Sequence, residues 1–91
     1  MGERLTVEFE RFEWGFRLSV SGRLGEDTVP LLAGVLATLR REAADVEVDL
    51  EGIESIDGAG LTVLLDAEAD SEREGRRLAV VGVRESLRRA Q

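Results

Sequence analysis

The chain has 91 residues and a formal net charge of −7, with no cysteine and no histidine. That length holds one domain with one core, and the missing residue types exclude disulfides, thiolate nucleophiles, cysteine metal sites and the commonest general base and neutral metal ligand. An acidic total argues against a nucleic-acid binder; lysine and tyrosine are absent too, so an enzyme would have to work with Asp, Glu, Ser, Thr and Arg.

Residues 5–12, LTVEFERF, alternate. Leu5, Val7 and Phe9 fall on one face and Thr6, Glu8 and Glu10 on the other, the pattern of a half-buried strand. After a short turn at Glu13–Gly15, FRLSVSGRL alternates again, with Phe16, Leu18 and Val20 inward. The two runs predict an antiparallel hairpin. The leading MGERLT has the spacing of an N-myristoylation signal but enters a strand at once, and we set it aside. It is neither a signal peptide nor a transit peptide, and no window approaches the eighteen apolar residues of a membrane span. A soluble cytoplasmic protein is expected, with no direct membrane insertion.

Residues 26–45, EDTVPLLAGVLATLRREAAD, predict a helix of about four turns. Asp27 or Thr28 can cap it, and Pro30 sits in the first turn, where its missing N–H is harmless. Gly34 is expected to allow close packing on a neighbour. VEVDL, 46–50, is a short strand. EGIESID, 51–57, reads as a polar loop anchored by Ile53 and Ile56. GAGLTVLLDAEADSERE, 58–74, is a second helix, stopped by Gly75. RRLAVVGV, 76–83, is a strand with a core suited to burial on both faces, and RESLRRAQ starts a final helix. The order β-β-α-β-α-β-α favours a mostly parallel mixed α/β sheet with an N-terminal antiparallel hairpin. Six of the twelve arginines lie after residue 72, so the C-terminal end is locally basic.

The loop that opens the second helix lies where open α/β sheets usually meet ligands or partners. Asp57 is placed as N-cap, and Gly58 and Gly60 permit close approach of another group. The residues equally allow a cap and a tight turn with no further role. GAG is neither a P-loop nor a full GxGxxG. Asp66, Glu68 and Asp70 do not all share one face of a helix, and EGIESID lacks the ligand rhythm of a calcium loop. No metal, cofactor or catalytic residue is expected. Helical spacing puts Ala59, Thr62, Val63 and Asp66 on one stripe, with Leu61, Leu64 and Leu65 on an adjacent core-facing stripe.

SGRL after the second strand, and above all VDLEGIESIDGAGLTVLL, resemble the STAS domain, the fold of bacterial anti-sigma factor antagonists. The likeness covers nearly the whole chain, 1–91, as a single domain that looks shortened at the C-terminus. A shortened end would favour a homodimer. In that family the two small residues after the Asp are usually Ser or Thr. The second is phosphorylated by a partner kinase, itself the anti-sigma factor, and this breaks the complex. Gly58 and Ala59 occupy those positions here. The resemblance therefore implies a non-enzymatic binding module without the usual phosphoacceptor; neither Ser55 nor Thr62 stands at that place. Its partner would be an anti-sigma factor with serine kinase character, met through Asp57, Gly58, Ala59, Gly60, Thr62, Val63 and Asp66. The same motif is similar to that of STAS subunits of phospholipid-transporting ABC systems, where the partner is the ATPase. A nucleotide-binding module is a third reading, since helix N-termini bind phosphate, but no lysine or catalytic constellation supports it.

Overall fold

The computed structural model describes residues 4–42 and 44–82. Four strands form one sheet in the order β1-β2-β3-β4, built from β1 (Leu5–Phe12), β2 (Gly15–Leu24), β3 (Asp45–Ile56) and β4 (Leu78–Val81). The hairpin β1–β2 is antiparallel, and β2–β3 and β3–β4 are parallel. The parallel steps are bridged by α1 (Val29–Arg41) and α2 (Gly58–Arg73). The predicted mixed sheet with its N-terminal hairpin is thus observed. The final helix expected at 84–91 lies outside the described residues.

The register sorts the side chains. Val7, Val20 and Phe9, Leu18 pair across the hairpin, and Leu18, Val48 and Val80 continue the same face. Leu18, Val20, Val48, Leu50 and Ile53 on the sheet join Leu32, Leu36 and Leu39 of α1 and Leu64 of α2 in one buried cluster. Burying such a side chain is worth about 1.5–3 kcal/mol, so this layer holds the helices to the sheet. The opposite face carries Thr6, Glu8, Glu10, Arg17, Ser19, Glu47 and Asp49, with Arg17 and Glu47 3.6 Å apart. A sheet with one polar face explains the strict alternation of β1 and β2.

The expected loop at 51–57 is strand as far as Ile56. β3 pairs with β2 through Ser21–Gly52, Gly22–Ile53, Arg23–Ser55 and Leu24–Ile56, with register shifts between Ser19 and Ser21 and between Gly22 and Arg23. Each shift leaves one extra residue on β3. Such bulges break the period of two, so polar residues hide the strand while Ile53 still reaches the core, fully buried.

The first helix has the expected length of about four turns, Val29–Arg41, and ends at the arginines the sequence places there. Thr28 is its N-cap residue but makes no side-chain cap bond. Its hydroxyl instead donates to the Arg23 carbonyl (2.8 Å) and accepts from the Gly25 N–H (2.9 Å). Gly34 does not serve close packing: a Cβ there would meet nothing within 4 Å. β4 is shorter than expected, and burial on both faces is not observed: Leu78 is buried while Ala79, Val80 and Val81 are half-buried. α2 ends as expected at Gly75, whose φ is +75°. Gly75 N–H donates to the Glu72 carbonyl and Arg76 N–H to that of Ser71, the paired bonds of a Schellman cap. Arg40 near the end of α1 pairs with Glu74 and lies 3.6 Å from Asp70, tying the two helices side by side.

Candidate functional site

The parallel strands β2 and β3 end together at Leu24 and Ile56. The chain then turns through Asp57 into α2, and this turn organises the top of the sheet. Asp57 Oδ1 accepts from the Gly60 N–H at 2.9 Å and Oδ2 from the Glu26 N–H at 3.1 Å. The Asp57 N–H donates to the Leu24 carbonyl at 3.1 Å. One carboxylate therefore caps α2 and pins the loop between β2 and α1 to it. The Gly60 N–H, with further help from the Glu26 N–H, holds the Asp57 carboxyl below the usual carboxylate range.

Two glycines make this turn fit. A Cβ at Gly60 would stand 2.7 Å from the Leu24 carbonyl oxygen and 2.8 Å from Leu24 Cγ. A Cβ at Gly25 would stand 2.8 Å from Asp57 Oδ2. Gly58 is different, since nothing lies within 4 Å of its missing Cβ. Gly60 thus answers to packing, while Gly58 and Ala59 are exposed at the start of the helix.

Further along α2, Gly60, Leu64 and Ser71 are buried, and Ala67 is half-buried against the core. These positions follow i, i+4, i+7, i+11 and form the true inner stripe. It is made mostly of small residues, which lets α2 lie close to the sheet. The consequence is a rotation of the helix from the orientation its leucines suggest. Leu61 is half-buried, and Leu65, expected in the core, is 54% exposed. Val63, expected on the outward stripe, is half-buried and packs against the core. The exposed band contains Gly58, Ala59, Thr62, Leu65, Asp66 and Ala69. Of the seven residues singled out from sequence, Gly58, Ala59, Thr62 and Asp66 share this band; Asp57 and Gly60 build the turn beneath it, and Val63 lies at its inner margin. Leu65 and Ala69 also lie in this exposed band, where the sequence reading does not place them. The signal that could have found them is the run of small residues at helical spacing, which fixes the inner face better than the leucines do.

The chemistry available at the turn is limited. An open concavity of about 320 Å³ is lined by Arg23, Glu26, Asp27, Thr28 and Ser55 among others, with acids prominent. Among the described residues no group of three acids, histidines or cysteines is placed to hold a metal ion. No helix of the described residues is long and apolar enough to cross a membrane.

A family model described as "Mlab, STAS domain" matches residues 13–90. The chain belongs to the STAS domain family. Solved structures agree on the fold. An anti-sigma factor antagonist from Mycobacterium paratuberculosis superposes with a TM-score of 0.79 at 22% identity, covering 96% of this chain and 74% of that one. An antisigma-factor antagonist STAS domain from Rhodobacter sphaeroides gives 0.71 at 25% identity, covering 91% of this chain and 95% of its own. The protein Mglu gives 0.76 at 20% identity, covering 88% of this chain and 20% of that one. Comparison with curated protein sequences gives no significant match. This STAS domain therefore resembles anti-sigma factor antagonists in fold, and its α2 turn is the part of the structure that matches the signature in the sequence.

Proposed function

We propose that this STAS domain is a non-enzymatic docking module of the anti-sigma factor antagonist type, cytoplasmic, which meets its partner protein through the exposed band of α2 and lacks the phosphorylation switch. The observation that carries the reading is the surface at the start of the helix. Ala59, at the family's acceptor position, is exposed, and it has no hydroxyl to phosphorylate. Beside it stand Thr62, Leu65 and Asp66, a small apolar patch with an acidic margin. Apolar anchors inside a polar rim are what protein interfaces use. A phosphate placed there would be repelled by Asp66 and by the acids of the Glu26–Asp27 loop. The Asp57 carboxylate already accepts the Gly60 N–H at the start of α2 and puts a negative charge there, which disfavours a nucleotide phosphate.

A second reading is docking to the ATPase of a phospholipid-transporting ABC system. It is favoured by the description of the matching family model and by the absence of hydroxyls at 58 and 59, which suits a permanently attached subunit. The experiment is an affinity capture from native lysate with wild type and Leu65→Asp side by side, read by mass spectrometry. An anti-sigma kinase lost in the variant supports the first reading. An ABC ATPase lost in the variant moves the protein to the second. A partner retained by a correctly folded Leu65→Asp protein refutes the α2 surface.

A further inference from the structure

The sheet has a second surface, at the end remote from α2. Among the described residues nothing pairs with the outer edge of β1, so its alternate N–H and C=O groups face outward, a ready template for another strand. On the helix side of this edge Phe9 is 62% exposed and touches Phe16 edge-on, with ring centroids 6.1 Å apart. Val7, two residues before Phe9 on the same side, is half-buried against the core, so Phe9 and Val7 give the open strand edge an apolar shelf. On the other side of the same strand Thr6, Glu8 and Glu10 are exposed, and the two acids stand opposite Ser19 and Arg17 of β2.

We propose that the outer edge of β1 takes up an extended segment of another protein in which apolar and basic side chains alternate. The apolar set would lie on the shelf at Phe9 and the basic set against Glu8 and Glu10, while backbone hydrogen bonds extend the sheet. Charge selects this occupant over a second copy. In antiparallel self-pairing about a two-fold axis, the register centred on Glu8 sets Glu8 against Glu8. The register centred on Phe9 sets Glu8 against Glu10. Like charges directly opposite destabilise a pair of strands, and these registers overlap the strand best. This surface is independent of the α2 band: β1 lies about three strand spacings, roughly 14 Å, from β4, beside which α2 packs.

The test uses the whole domain and fluorescein-labelled peptides in anisotropy titrations. One peptide alternates lysine with valine. A second has the same composition with the lysines and valines in separate blocks. A third carries glutamate in place of lysine. The alternating basic peptide should bind saturably, with the blocked peptide about ten-fold weaker and the acidic one not bound. Phe9→Ser should weaken binding, Glu8→Lys with Glu10→Lys should transfer the preference to the acidic peptide, and Leu65→Asp should change nothing. Amide exchange in the complex should slow in β1. Equal affinity for the alternating and blocked peptides would reduce the binding to bulk attraction by the acidic chain and overturn the proposal. So would slowed exchange confined to other elements, or a homodimer in sedimentation that Phe9→Ser dissociates.

Discussion

Gly60→Ala adds one methyl group at the most crowded point of the α2 turn. The new Cβ would stand 2.7 Å from the Leu24 carbonyl oxygen, 2.8 Å from Leu24 Cγ and 3.2 Å from a methyl of Ile56. Leu24 and its neighbours could yield only at some cost, because Leu24 is buried and its carbonyl accepts the Asp57 N–H. Pushing that carbonyl away loosens the residue that caps the helix. Overpacking of this kind costs about 1–3 kcal/mol. Replacing glycine by alanine in a helix returns up to about 1 kcal/mol. The net expectation is a loss of about 0.5–2 kcal/mol, and for a domain of this size each kcal/mol moves the melting temperature by about 4–8 °C. Gly58→Ala is the control: it sits two residues away, with open space around the added methyl, and should be neutral or slightly stabilising. Thermal and urea melts followed by far-UV circular dichroism measure both. If Gly60→Ala melts at or above the wild-type temperature, the close approach of α2 to β2 is not what requires glycine there.

Other consequences of the same geometry can be checked in parallel. Leu65→Asp should leave stability within about 0.5 kcal/mol, as exposed substitutions do, yet abolish capture of the partner. Val63→Asp should cost about 1–3 kcal/mol, because it sets a charge against the core; urea midpoints separate the two variants. Ala59→Asp should leave the melting temperature near that of wild type and weaken the isolated complex by at least about ten-fold, read by titration calorimetry, because it places a charge in an apolar contact. The Asp57 carboxyl is held below its usual range, so its contribution to stability is present above the unfolded value near pH 4 and is lost as pH falls through the lower folded value. The difference in urea midpoint between wild type and Asp57→Asn should therefore be largest near neutral pH and shrink in acid. A constant difference from pH 7 to 3 would show that the carboxylate charge is not what the cap uses.

Much of the fold could be read from the sequence because most elements follow a single period. β1 and β2 alternate strictly, since one face of their sheet meets the core and the other meets water. The second half of β3 was hidden for the opposite reason. Its two bulges shift the phase of alternation, and the polar residues then resemble a loop. The site was legible in part. The Asp57 cap follows from residue type and position, and its hydrogen bond to Gly60 is observed. Its bond to the Glu26 N–H joins segments 31 residues apart, and no local pattern announces that. The facing of α2 is not legible from its largest residues. Leucines at 61, 64 and 65 suggest one inner face, but close packing on the sheet selects the small residues Gly60, Ala67 and Ser71.

That inversion links the packing of α2 to its proposed role. Because glycine, alanine and serine take much of the inner stripe, the helix sinks toward the sheet and turns Leu65 outward. The apolar residue that would anchor a partner is then supplied by the requirement for close packing on the other side. The first turn divides in the same way: Gly60 must be small to pass Leu24, whereas Gly58 has open space around it and Ala59 is exposed, which leaves both open to the partner proposed above. Ser or Thr would fit sterically at Gly58, where a Cβ meets open space. Its absence therefore does not come from the fold. Packing accounts for glycine at 60 and not at 58, so Gly58→Ser should melt close to wild type, and any change it brings should be confined to the partner complex proposed above.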